Sequence, residues 1–133
     1  MIVLAIFFFV FNVLFIKCET QCPNVITPNY DRRIDKQNLK IMQYNVEWLF
    51  LDYYKNADCP GEGCTWKNKT MANTHLQYVS NVINKFNPDI INLCEVEGCD
   101  ELNTLIQNTT SDYNPYLIQS TDTSTGQNVG MLT

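Results

Sequence analysis

Two polar residues stand where apolar runs of the sequence end. Asn45 lies within LKIMQYNVEWLF (residues 39–50), and Glu95 lies within NPDIINLCEVEG (residues 87–98). A carboxylate in such a place suits Mg²⁺, which binds through one or two carboxylates together with substrate phosphate and water. An amide beside it can orient the phosphate or the carboxylate. The two residues therefore predict a phosphate and metal site; the plain alternative is that they only end their strands, since short motifs are weak signals.

Strand geometry places both residues at one edge of a predicted sheet. Side chains alternate between the two faces of a strand, so Asn45 shares a face with Ile41 and Glu95 shares one with Leu93. Each polar residue then ends an otherwise apolar face at the carboxyl end of its strand. Open α/β sheets bind their ligands at that edge.

The rest of the pattern predicts an α/β fold with a mixed sheet. An amphipathic helix begins near Thr70 or Asn73, either of which can cap it, and ends at Asn87-Pro88. The other predicted elements are strands at 39–45, 89–95, 115–118 and 129–132 and a helix at 100–107. Because the sequence stops within an apolar strand, we expect residues 38–133 to be the N-terminal part of a truncated domain.

Residues 1–20 have the character of a signal peptide. The first sixteen are apolar apart from Asn12 and polar residues follow directly. That block is shorter than the roughly 20 residues that a spanning helix needs. We expect cleavage after Thr20, which leaves an irregular leader at 21–37 and no membrane span. The protein would then be secreted or lie in the lumen of the secretory pathway; an uncleaved anchor is the alternative.

Six cysteines agree with an oxidising compartment. Two candidate disulfides would each close a short loop: Cys59 with Cys64, and Cys94 with Cys99. Cys22 is left without a partner if Cys18 leaves with the signal peptide. The lone histidine, His75, and the lack of CxxC pairs argue against a zinc site. Two sequons provide candidate glycosylation sites at Asn68 and Asn108.

The charge balance limits the choice of ligand. Nine basic residues against fourteen acidic ones give a formal net charge of −5. Such a chain lacks the excess of Lys and Arg that attracts a polyanion. Binding of nucleic acid would therefore depend on a metal cation.

The two apolar runs, with a helix between them and GQNVGML after them, resemble the opening half of the endonuclease/exonuclease/phosphatase family. This family includes DNase I-like nucleases, inositol-phosphate phosphatases and sphingomyelinases. The resemblance covers about residues 38–133, and two ordered motifs carry it. It departs from the usual pattern at Trp48, where a small polar residue is frequent, and at Cys94, where Gln is usual.

The resemblance implies a DNase I-like α/β/β/α sandwich of which only the first half of the domain is present. It implies that Asn45 has a catalytic role at the phosphate or the metal. It also implies that Glu95 is a ligand of Mg²⁺ or of another divalent cation. The function implied is that of a metal-dependent phosphodiester hydrolase, and secretion favours a nuclease. The family's later Asp-x-Asn and Ser-Asp-His motifs have no counterpart here, so we expect the fragment alone to be inactive.

Two other functions stay open at this point. One is a phosphatase or phosphodiesterase acting on lipid or inositol phosphates. The other is a non-catalytic, disulfide-braced secreted binding module, whose exposed aromatic surface would be formed by Trp48, Tyr53, Tyr54 and Trp66. Packing of these loop aromatics onto the core is the simpler expectation.

Overall fold

Apolar runs separated by turn residues fold into strands and helices on one mixed sheet. The computed structural model describes residues 22, 30–31, 33–51, 66, 68–121 and 126–133. Its elements are β1 (Ile41–Leu49), α1 (Lys69–Phe86), β2 (Ile90–Val96), α2 (Cys99–Gln107), β3 (Pro115–Ile118) and β4 (Asn128–Leu132). The strand order is β1-β2-β4-β3; β1 and β2 are parallel, and the other neighbours are antiparallel. The predicted α/β class with a mixed sheet is thereby confirmed.

Helix α1 forms because apolar residues recur at helical spacing, and those that become buried include Ala72, Leu76, Val79 and Ile83. Its cap differs from the prediction. Asn68, rather than Thr70 or Asn73, caps the helix, because its side-chain oxygen accepts a hydrogen bond of 3.0 Å from the amide of Met71. At the other end Asn87 adopts a left-handed conformation with φ of 45° and the next residue is proline, which stops the helix where the sequence predicts.

Both helices share one hydrophobic core on one face of the sheet. The fully buried members of this core include Leu49, Ile83, Ile91, Leu93, Leu102, Leu105 and Leu132. Gly130 lets α2 approach β4 closely, since a Cβ atom at this position would lie 2.9 Å from Cδ2 of Leu102. The helices therefore fix the core side of the strands that carry Asn45 and Glu95.

The opposite face of the sheet exposes apolar side chains. Ile41 and Ile118 are each 61% exposed and Val129 is 43% exposed. These residues belong to three different strands, and they lie on the face away from the helices. The described part of the chain thus forms two layers, with helices against one face of the sheet.

Several sequence predictions concern residues that the structure does not describe. The signal peptide at 1–20, residues 23–29 of the leader, Cys59 and Cys64 lie outside the described residues. The described part of the leader, at 22, 30–31 and 33–37, contains neither helix nor strand. Within the part of the chain that the structure describes, no helix has the length and apolar character needed to cross a lipid bilayer.

The disulfide prediction at the end of β2 is wrong. Cys99 pairs with Cys22, with Cα atoms 5.4 Å apart, while Cys94 is a free thiol. The physical reason is the pleat of the sheet. Cys94 pairs in register with Asn45, and its sulfur accepts a 3.3 Å hydrogen bond from the amide of Gln43, whereas Cys99 packs against the core. The sulfur atoms of Cys94 and Cys99 thus lie on opposite sides of the sheet. Cys22, predicted to lack a partner, has one in Cys99.

Candidate active site

The structure brings Asn45 and Glu95 into contact at the carboxyl ends of β1 and β2. Nδ2 of Asn45 donates a 2.8 Å hydrogen bond to Oε1 of Glu95. Asn45 is exposed and Glu95 is half-buried, so the pair lies at the surface of the sheet edge. The proximity that the two sequence motifs predict is present.

Strand alternation alone would keep the two side chains apart. Asn45 is the register partner of Cys94, so in a regular parallel ladder Glu95 would lie on the core face with Leu93. Glu95 instead has a φ of 66°, in the left-handed region. This single conformation interrupts the alternation and brings the carboxylate to the face of Asn45.

A second left-handed segment follows Asn45. Glu47 has a φ of 50° and Trp48 a φ of 59°, and the pairing of β1 with β2 shifts register between Asn45 and Leu49. Each such conformation costs a non-glycine residue on the order of 1–3 kcal/mol. Its effect here is to turn the amide of Glu47 back toward Asn45. Strain of this kind clusters at functional sites.

The Asn45 amide is held at both ends. Its Oδ1 accepts a 2.8 Å hydrogen bond from the backbone amide of Glu47, while Nδ2 donates to Glu95. These two partners set the orientation of the side-chain amide, because only the nitrogen can donate to a carboxylate. Nδ2 carries a second hydrogen, which is the one suited to a phosphate oxygen.

His75 and Trp66 contact the strained end of β1 from the helix side. Nε2 of His75 donates a 2.5 Å hydrogen bond to the carbonyl of Val46, and Nε1 of Trp66 donates a 2.8 Å hydrogen bond to the carbonyl of Trp48. The two rings stack with centroids 4.1 Å apart and an angle of 24° between their planes. Trp66 therefore contacts both the His75 ring and the end of β1. Trp48 is half-buried and contacts Phe50, with ring centroids 6.2 Å apart.

Burial lowers the pKa of His75 below its usual value. The hydrogen bond to the carbonyl of Val46 and the nearby charge of Glu47 oppose this effect only in part. The neutral ring is thus favoured, with its proton on Nε2, because a carbonyl can only accept. Nε2 is engaged with the backbone carbonyl of Val46 and so does not face the Asn45–Glu95 pair as a base would have to.

The sequence predicts no role for a further amide at this edge, that of Asn128. Asn128 begins β4, which runs antiparallel to β2, so its start lies beside the end of β2. Its Nδ2 donates a 2.6 Å hydrogen bond to the carbonyl of Glu97, and its Oδ1 accepts a 2.8 Å hydrogen bond from the amide of Ser120. Asn128 therefore braces the segment that follows Glu95. The run GQNVGML contains it, but the sequence alone does not indicate which segment it contacts.

The donor set available for a metal ion at this edge is small. Over the residues that the structure describes, no group of three or more His, Cys, Asp or Glu side chains is placed to hold a metal. The Asn45–Glu95 pair offers one half-buried carboxylate beside an amide. Mg²⁺ sites in proteins usually have one or two carboxylates, with water and substrate phosphate as further ligands, so this donor chemistry is compatible with Mg²⁺. It does not resemble a tetrahedral zinc site, which needs several protein ligands.

The two sequon asparagines differ in their surroundings. Asn68 is exposed and uses Oδ1 to cap α1. Asn108 is half-buried; its Nδ2 donates to the carbonyl of Thr104 at 2.8 Å and its Oδ1 accepts from Nε2 of Gln77 at 2.6 Å. Asn108 therefore joins the end of α2 to α1.

Comparison with known proteins adds no relative. No protein-family model, curated protein or solved structure matches this chain.

Proposed function

We propose that this chain carries the metal- and phosphate-binding edge of a metal-dependent phosphodiester hydrolase, a secreted nuclease of the endonuclease/exonuclease/phosphatase family. The observation that supports it is the hydrogen bond of 2.8 Å between Asn45 and Glu95. The sequence motifs alone predict both residues as members of one site. If Asn45 and Glu95 only ended their strands, nothing would favour the strained left-handed conformation of Glu95 that brings its carboxylate to Asn45.

The finer fold follows from the same proposal. In a DNase I-like α/β/β/α sandwich, a second sheet packs on the face of the first sheet that carries no helices. The exposed apolar face that includes Ile41, Ile118 and Val129 supports this arrangement, because a face of this kind is suited to burial. In this arrangement residues 38–133 are the first half of the domain.

The roles of the residues follow from their contacts. Glu95 would hold the cation, and Asn45 orients the carboxylate through Oε1 while its second Nδ2 hydrogen donates to a substrate phosphate oxygen. The bound cation would supply Lewis-acid polarisation of the phosphoryl oxygen. The backbone amide of Glu47 fixes the Asn45 side chain and so lowers the cost of reorganisation during the reaction.

Metal binding is the first test, because it does not depend on turnover. The full chain is produced through a secretory pathway and titrated with Mn²⁺, followed by electron paramagnetic resonance, with Mg²⁺ as competitor. We expect Glu95→Gln and Asn45→Ala each to weaken Mn²⁺ binding by at least about tenfold, as loss of a ligand or of its orienting partner does. Asp100→Asn, an exposed carboxylate at the start of α2, is the matched control and should bind like the wild type. Equal affinity of wild type and Glu95→Gln would refute the metal site and favour a binding module.

Substrate class is tested with the same variants. Competition by short single-stranded DNA, RNA, an inositol phosphate and a phosphorylated lipid in micelles, in the presence of Mn²⁺, should rank the nucleic acids first. Preference for the inositol phosphate or the lipid would overturn the nuclease assignment and leave the metal site intact. We expect no hydrolysis of a phosphodiester reporter by the chain alone. A rate that EDTA abolishes would show that the chain supplies its own water-activating group.

A further inference from the structure

The segment between Asn45 and Leu49 needs hydrogen-bond partners that the sheet does not supply. β1 is an edge strand of the sheet that the described residues form, and its register with β2 breaks after Asn45 and resumes at Leu49. Backbone groups in such an interruption must find partners elsewhere. His75 donates to the carbonyl of Val46, and Trp66 donates to the carbonyl of Trp48, which also accepts a 2.9 Å hydrogen bond from the amide of Phe50.

These two bonds lie on either side of the residue that fixes Asn45. Glu47 stands between Val46 and Trp48, and its amide donates to Oδ1 of Asn45. The contacts are therefore continuous from the ring stack to the carboxylate. The stacked rings of His75 and Trp66 hold the carbonyls on either side of Glu47. The Glu47 amide holds the side chain of Asn45, which donates to Glu95. We propose that His75 and Trp66 are positioning residues that hold the left-handed Glu47–Trp48 segment and thereby direct Asn45 onto Glu95. The catalytic meaning of this contact depends on the proposed function; the positioning itself does not.

Helix α1 gives His75 a fixed support. Its neighbours Ala72 and Leu76 are buried in the core, and the Asn68 cap holds the first turn. The charged group that faces the imidazole from β1 is Glu47. Trp66 covers the ring from the segment that precedes α1, so the imidazole lies between a tryptophan and the strand.

Three substitutions separate the contributions of donor and ring. His75→Phe keeps an aromatic ring against Trp66 but loses the donor, and His75→Gln restores a donor without the ring. Trp66→Phe keeps a ring in the stack but loses the Nε1–H bond to Trp48. Tyr78→Phe, on the exposed side of α1 and 66% exposed, is the control.

The measurement is amide hydrogen exchange of Glu47, read by NMR together with the side-chain amide signal of Asn45. We expect His75→Phe and Trp66→Phe to speed Glu47 exchange by at least about tenfold, because each variant loses a hydrogen bond that holds the Glu47–Trp48 segment. Exchange at buried Leu93 should change by less than about twofold, which separates local release from global destabilisation. His75→Gln should recover most of the protection, and Tyr78→Phe should match the wild type.

The same variants are then titrated with Mn²⁺. His75→Phe should weaken binding by about tenfold, the effect typical of residues that orient a metal ligand, with recovery in His75→Gln. Unchanged Glu47 exchange, or exchange that rises equally at Leu93, would overturn the positioning role. A wild type that binds no Mn²⁺, with Glu47 exchange still responding to His75→Phe, would refute the proposed function and leave the positioning contact established.

Discussion

Loss of the Cys22–Cys99 disulfide should remove a large part of the stability of this protein. The two cysteines are 77 residues apart in sequence. In the chain-entropy description, a cross-link closing a loop of that length lowers the entropy of the unfolded chain by about 15 cal/mol/K, or about 4.5 kcal/mol at room temperature. Domains of this size are stable by about 5–15 kcal/mol in total. Cys22→Ser/Cys99→Ser should therefore be close to its unfolding threshold.

The assay is equilibrium unfolding in urea, followed by tryptophan fluorescence. With a slope of about 2 kcal/mol per molar urea, a loss of 4.5 kcal/mol moves the midpoint down by about 2 M. Cys94→Ser is the control, because that thiol is free and its replacement keeps the bridge. A midpoint within about 0.5 M of the wild type would refute the reasoning, because it would mean that the bridge contributes about 1 kcal/mol or less.

Two further predictions concern packing and pH. Gly130→Ala should destabilise the fold by about 1–3 kcal/mol in the same urea assay, because the new Cβ would lie 2.9 Å from a methyl group of fully buried Leu102. An unchanged unfolding midpoint would show that α2 can shift to accommodate the methyl group. The lowered pKa of His75 means that the unfolded chain binds its proton more readily, so wild-type stability should be fully present above about pH 6.5 and fall as the pH drops through the folded pKa. His75→Gln should lack this loss of stability below about pH 6.5. A wild type with the same pH profile as His75→Gln would contradict the cause given for the lowered pKa.

The fold class could be predicted from the sequence because it depends on local patterns. Buried runs such as 89–95 and the spacing of Leu76, Val79 and Ile83 leave little choice of element. The pairing of Cys22 with Cys99 could not be predicted, since it joins residues far apart in sequence and depends on where α2 begins. The role of Asn128 is missed for a similar reason, because its partners become visible only when β4 lies beside β2.

The sequence predicts where Asn45 and Glu95 lie in the sheet but not how their side chains come into contact. The order of the motifs correctly places both residues at one edge of the sheet, but strand alternation would leave them on opposite faces. Their meeting depends on the φ of 66° at Glu95, and nothing in the residue type suggests it, because glutamate disfavours this conformation.

This departure from local preference itself points to a functional edge. The non-glycine residues with positive φ among those described are Glu47, Trp48, Asn87 and Glu95, and Asn87 ends a helix in the ordinary way. The other three lie at the ends of β1 and β2, beside Asn45. Glycine would adopt the conformation of residue 95 without strain but would provide no carboxylate. With glutamate at residue 95, the fold accepts a strained backbone conformation at the strand end that His75 and Trp66 contact, and this strain brings a carboxylate beside an amide, the pair on which the proposed function depends.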